Sequence, residues 1–101
     1  MSSCTDIKID EKIKEKIAPP ANWKVILLND DLTPFDFVIS LLIEIFKHNV
    51  DTAKNITRQV HENGSGIAGV YSFEIAEIKA VESTNLARKN GFPLQIKLEE
   101  D

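Results

Sequence analysis

Hydrophobic positions along this chain fall into a series of short runs, and each run has its own spacing. Trp23-Lys-Val-Ile-Leu-Leu28 is rich in β-branched and aromatic residues. It lies between Pro19-Pro20 and Asn29-Asp30-Asp31, which predicts a buried strand. Thr33-Pro34 then marks a helix start, with the threonine hydroxyl as cap and the proline at the first helical position. Val38, Leu41, Leu42, Ile45 and Phe46 follow at the spacing of one apolar helical face. His48-Asn49 breaks that pattern, and Asn49 is suited to cap a second helix. Val50, Ala53, Ile56 and Val60 mark the inner face of this helix, and Asn63-Gly64 closes it.

Gly66-Ile-Ala-Gly-Val-Tyr71 predicts a second strand whose small residues permit close backbone approach. Ser72 is placed to cap a third helix running to about Lys89, with Asn90-Gly91 as its stop and Pro93 just beyond. Leu94-Gln-Ile-Lys-Leu98 alternates and predicts a last strand with one wet face. The order strand, helix, helix, strand, helix, strand implies an α+β fold. Its simplest form is a small three-stranded sheet packed against three helices on one side.

The first 22 residues read differently. Asp6-Ile-Lys-Ile-Asp-Glu-Lys-Ile-Lys-Glu-Lys-Ile17 alternates charges with isoleucines, and Pro19-Pro20 stops any helix. Ile9, Ile13 and Ile17 share one helical face. A helix shorter than about 12 residues is nevertheless marginal in water without packing. The division expected is a disordered tail over 1–22 and a folded domain over 23–101.

Composition narrows the function classes. A chain of 101 residues with 43% hydrophobic and 28% charged positions is one ordinary globular domain with a tail. A net charge of −4, without a basic stripe, argues against nucleic acid or an anionic membrane as partner. The single cysteine, Cys4, excludes an internal disulfide and fits a reducing compartment; it reads as a plain thiol near a terminus. No apolar run approaches the roughly 18 residues of a membrane span, and the N-terminus lacks the hydrophobic core of a secretory signal. A cytoplasmic location is the expectation.

Candidate chemistry concentrates in Asn29-Asp30-Asp31, between a strand and a helix start. Such residues favour turns, and acidic groups near a helix N-terminus gain about 0.3–1 kcal/mol from its dipole. A divalent cation would need more clustered carboxylates than these. Catalysis would need a nucleophile and a base, for which only His61 or Cys4 is available. Neither metal, cofactor nor enzymatic activity is expected.

Trp23-Lys-Val-Ile-Leu-Leu-Asn-Asp-Asp-Leu-Thr-Pro-Phe-Asp-Phe-Val38 resembles the opening of the core domain of the ClpS adaptor family. The likeness continues through Val60-His61, Gly69-Val70-Tyr71, Glu74-Ile-Ala-Glu77 with Lys79, and Ala87-Arg88 followed by Phe92-Pro93-Leu94. It runs without gaps from Trp23 to about Leu98. The resemblance implies a small antiparallel three-stranded sheet packed against three helices, like the C-terminal domain of the ribosomal stalk protein. It implies a bacterial adaptor of the ClpAP protease, acting as a monomer. Such an adaptor binds proteins that begin with Leu, Phe, Tyr or Trp and delivers them to the ClpA unfoldase or a ClpC-type relative.

Carried over residue by residue, Asn29, Asp30 and His61 would hold the substrate α-amino group, with Asp31 secondary. Leu32, Thr33, Phe35, Val38, Thr57, His61 and Leu94 would line the side-chain pocket, and Glu74 and Lys79 would dock the unfoldase. Thr57 and Phe35 stand where the family commonly has methionine. The first of these methionines helps exclude β-branched side chains, so altered selectivity is expected. The tail would be the part that the unfoldase engages. The rival reading is a stalk-protein-type interaction module, which shares the fold but has no need of Asn29-Asp30 with His61.

Overall fold

A computed structural model describes residues 21–101 of the chain. The expected tail lies outside the described residues apart from its last two. Six elements follow in the predicted order: β1 (Asn22–Leu28), α1 (Phe35–Glu44), α2 (Val50–Asn63), β2 (Ser65–Ser72), α3 (Phe73–Lys89) and β3 (Gln95–Glu100). The sheet is antiparallel, with β1 between β2 and β3. The α+β architecture read from the sequence is therefore the observed one.

Alternation along β1 puts Val25 and Leu27, both fully buried, on the face that the helices cover. They meet Val38, Leu41, Leu42 and Phe46 from α1 and its end, Ala53 and Val60 from α2, and Ala76 and Ala87 from α3 in one core. The opposite face keeps Ile67 and Val70 exposed, with Lys24 bridged to Glu99 at 3.4 Å. Two glycines matter to packing on the covered side. A side chain at Gly66 would come within 2.8 Å of Val60, so β2 can close on α2 only with glycine there. The Tyr71 ring lies directly over Gly69.

Several boundaries differ from the sequence reading, each for a local reason. The Thr33 hydroxyl does not cap α1; Pro34 occupies the cap position with no side-chain bond, because Thr33 has a nearer partner in Asp30. Ser72 holds the cap position of α3 without a side-chain bond. Asn49 does cap α2, its Oδ1 accepting from the Thr52 N–H at 2.8 Å. Val50, expected on the inner face, is half exposed as the first residue of its helix; Ala53, Thr57 and Val60 form the buried face. Ile45 and Phe46 fall just past the end of α1, although Phe46 remains buried.

α3 ends in a Schellman turn. Gly91 has φ 80°, its N–H donates to Arg88, and the Phe92 N–H donates back to Ala87 at 2.9 Å. β3 starts at Gln95, one residue later than expected, which leaves the buried Leu94 in the connection ahead of it.

Candidate functional site

The loop after β1 is organised by one carboxylate. Asp30 Oδ1 accepts from the Leu32 N–H at 2.8 Å and the Thr33 N–H at 2.7 Å, while Oδ2 accepts from the Thr33 hydroxyl at 2.7 Å. Aspartate hydrogen-bonding the backbone two and three residues on is the ordinary way to fold such a turn. Burial pushes the Asp30 carboxyl up. The Thr33 hydroxyl, the Leu32 and Thr33 amides and the charge of Arg88 together outweigh that and hold it below its ordinary 3.8. Asp30 is thus an anion whose acceptor sites are largely occupied by its own loop. Asp31 next to it is exposed, and among the described residues no hydrogen bond reaches its carboxylate.

The loop is pinned to the end of α2. Gly64 ends that helix in a left-handed conformation, φ 88°, and its carbonyl accepts from the Asn29 N–H at 2.9 Å. Asn29 is thereby brought to the corner where His61 projects from the last turn of α2. His61 packs against Phe35, the first residue of α1, edge to face with ring centroids 4.9 Å apart.

Between these groups opens a cavity of about 300 Å³, at the small end of the range for ligand sites. It is lined by Asn29, Asp30, Asp31 and His61 on the polar side. Thr33, Phe35, Val38, Thr57 and Leu94, all expected there, contribute to the rest. The Thr57 hydroxyl donates to the Ala53 carbonyl at 2.7 Å, so its donor is satisfied within the helix. The site therefore offers a rim of oxygen and nitrogen acceptors over a mainly apolar wall.

Leu32 is the exception among the expected lining residues. Its side chain is 72% exposed and lies outside the cavity, because the turn that Asp30 imposes faces it to solvent. Leu28, Pro34 and Val60 also line the cavity, where the sequence did not place them. Val60 had a readable signal, since Thr57, Val60 and His61 share one helical face at i, i+3 and i+4.

The two residues expected to dock a partner, Glu74 and Lys79, have different environments. Glu74 is exposed in the first turn of α3. Lys79 is not a free surface charge: its ammonium donates to the Ile45 carbonyl at 2.7 Å and lies 5.9 Å and 5.5 Å from the Phe46 and Tyr71 ring centres. Among the described residues, no cluster of three or more His, Cys, Asp or Glu is arranged to hold a metal ion. No described helix is long and apolar enough to cross a membrane.

Residues 18–97 match the family of the ATP-dependent Clp protease adaptor protein ClpS. The chain belongs to the ClpS family. It is 42% identical over 90 residues to the ATP-dependent Clp protease adapter protein ClpS of Sodalis glossinidius, covering 89% of this chain and 85% of that one. It is 42% identical over 95 residues to the ClpS of Burkholderia mallei, covering 94% of this chain and 91% of that one. A solved structure of Agrobacterium tumefaciens ClpS2 bound to L-phenylalaninamide superposes with a TM-score of 0.79 at 40% identity, over 81% of this chain and 99% of that one. ClpS proteins are adaptors of the Clp protease, not enzymes. An adaptor of this kind joins protein substrates to an AAA+ partner.

Proposed function

We propose that this ClpS-family chain binds the first residue of proteins that begin with Leu, Phe, Tyr or Trp and delivers them to a ClpA- or ClpC-type unfoldase. The observation that carries the reading is the cavity at the end of β1, where an acceptor rim adjoins an apolar wall. An N-terminal residue presents just this pair of groups: an α-amino group, mostly cationic at neutral pH with a pKa near about 7.7–8.0, and a side chain beside it. Asn29, Asp30 and a ring nitrogen of His61 supply acceptors for the ammonium, with Asp31 secondary, and the loop hydrogen bonds orient the Asp30 carboxylate. Phe35, Val38, Thr57 and Leu94 take the side chain, whose burial contributes about 1.5–3 kcal/mol. L-phenylalaninamide, bound to the Agrobacterium protein, has the same two features.

Thr57 tunes the selectivity. It is short, and its hydroxyl donor is already used by Ala53, so the pocket admits N-terminal Ile or Val as well as Leu. Such discrimination in an apolar pocket is worth only about 1–3 kcal/mol per methylene or two. In delivery, the exposed Glu74 contacts the unfoldase, Lys79 shapes the surface beside it, and residues 1–20 are the segment that the unfoldase grips. The adaptor acts as a monomer in the bacterial cytoplasm.

The deciding measurement is a titration with a Leu-initiated peptide and its N-acetylated form. Binding of the free amine and its loss on acetylation is the expected result. Equal binding of both, or of neither, would overturn ammonium recognition. A loss of affinity of about 100-fold or more on replacing the first Leu by Ile would remove the broadened selectivity alone.

A further inference from the structure

We propose that Arg88, which does not line the cavity, is a positioning residue for it: from the last turn of α3 its guanidinium holds the carbonyls of Phe92 and Leu94 and so fixes Leu94 in the pocket wall. The inference deepens the reading of the cavity as the substrate site and rests on it.

The connection from α3 to β3 contains two differently supported halves. Its first half is held by the helix-ending bonds of Gly91 to Arg88 and Phe92 to Ala87. Its second half carries Pro93, which has no N–H to donate, and reaches ladder pairing only at Gln95. The Arg88 side chain spans that gap. Its Nη1 donates to the Phe92 carbonyl at 3.0 Å and to the Leu94 carbonyl at 2.7 Å. Leu94 is 1% exposed and lines the cavity, so the backbone atom that Arg88 grips belongs to a wall residue. A guanidinium suits this task because its planar fork holds two acceptors in fixed directions, whereas an ammonium acts as a point charge.

The same side chain reaches the polar rim through its charge. The charged and titratable groups around Asp30 are Asp31 in its own loop, His61 from α2 and Arg88 from α3. Burial pushes the Asp30 carboxyl up; after the loop hydrogen bonds, Arg88 is the remaining group that draws it down. Arg88 thus acts on both halves of the pocket without touching a ligand, on the wall by contact with backbone and on the rim by its field.

Arg88→Gln and Arg88→Lys in the full chain separate the two actions. The readouts are the pH titration of the Asp30 carboxyl carbon by NMR without ligand, and dissociation constants for peptides beginning with Leu or Ala. Arg88→Gln should raise the Asp30 titration, weaken the Leu peptide about tenfold, the loss of roughly one good hydrogen bond, and narrow the Leu-to-Ala ratio. Arg88→Lys keeps the charge and should leave the Asp30 titration where it is, while the Leu-to-Ala ratio still narrows. Unfolding curves fix the folded fraction of each variant, and a change in stability alone would leave both the ratio and the titration unmoved. Variants with the unaltered ratio would overturn the proposal, and an Asp30 titration unmoved in Arg88→Gln would remove the action on the rim and leave the hold on Leu94. If the unaltered chain bound no Leu peptide, the pocket reading beneath it would fall. The Asp30 titration would still decide the link to Arg88.

Discussion

The N–H of Asn29 donates to the carbonyl of Gly64 across 2.9 Å, joining the loop after the central strand to the end of α2. This one bond is why Asn29 and His61, far apart in sequence, share a cavity rim. It depends on the left-handed conformation of Gly64, which any side chain strains by about 1–2 kcal/mol. Gly64→Val should lower stability by about that amount and also weaken binding of a Leu-initiated peptide. Chemical denaturation and a peptide titration at a temperature where the variant is folded would check both. Unchanged affinity in a destabilised variant would mean that Asn29 holds its place without this bond.

Asp30 predicts an acid dependence of stability. Its carboxyl titrates lower in the folded protein than its ordinary 3.8. The unfolded chain therefore binds the proton more readily as pH falls. The stabilisation is fully present above 3.8 and is lost as pH falls through the lower, folded value. Thr33→Val removes the hydroxyl that donates to Oδ2 and should bring the titration back towards the ordinary value. Stability near neutral pH should fall by about 1 kcal/mol, with less of the acid-dependent part remaining. Denaturation midpoints across an acid pH series for the two proteins give the comparison.

Much of this architecture was legible, and the failures have a common cause. The strand runs and the spaced faces of α1 and α2 announce themselves because local periodicity reflects burial. Asn49 and Gly64 were readable as helix ends because caps act within a few residues. Thr33 ahead of Pro34 has the composition of a helix cap, and only the bond of its hydroxyl to Asp30 shows that it serves the aspartate turn instead. The outward direction of Leu32 is likewise set by the turn, which a residue-by-residue match to a motif does not show. Lys79 and Arg88 lay beyond reach: the carbonyl that Lys79 holds is 34 positions away, and Arg88 acts through backbone atoms that carry no sequence signal. Of the site, the polar groups were named from the motif, and their unequal roles came from hydrogen bonds.

Lys79 and Glu74 should respond differently to neutralisation. Lys79→Met removes a donor to the Ile45 carbonyl and a cation near two aromatic rings, and should cost about 1–3 kcal/mol of stability. Glu74→Gln, on an exposed first turn, should change stability by less than about 0.5 kcal/mol. Thermal unfolding separates them. A delivery defect in Glu74→Gln without loss of stability would mark a contact, whereas the same defect in Lys79→Met has to be read against its lowered stability.

Ser83 offers the opposite sign. Its hydroxyl is fully buried in α3 and has no hydrogen-bond partner among the described residues. Alanine removes the unsatisfied group and is the better helix former, so Ser83→Ala should raise stability by about 1 kcal/mol. Peptide affinity should be unaltered, because Ser83 does not line the cavity. A fall in the unfolding midpoint would show that the hydroxyl has a partner after all.

The seven residues of β1 run from Asn22, near the start of the described residues, to the loop that builds the cavity, a span of about 20 Å. Because β1 is the middle strand, a pull on the residues ahead of Asn22 is carried along both neighbouring ladders at once. A pull along the strand loads the bonds of both ladders together, so they share it, whereas an edge strand would have one ladder alone. Traction along β1 is therefore opposed from two sides, and the cavity lies at the end of the strand away from the pull.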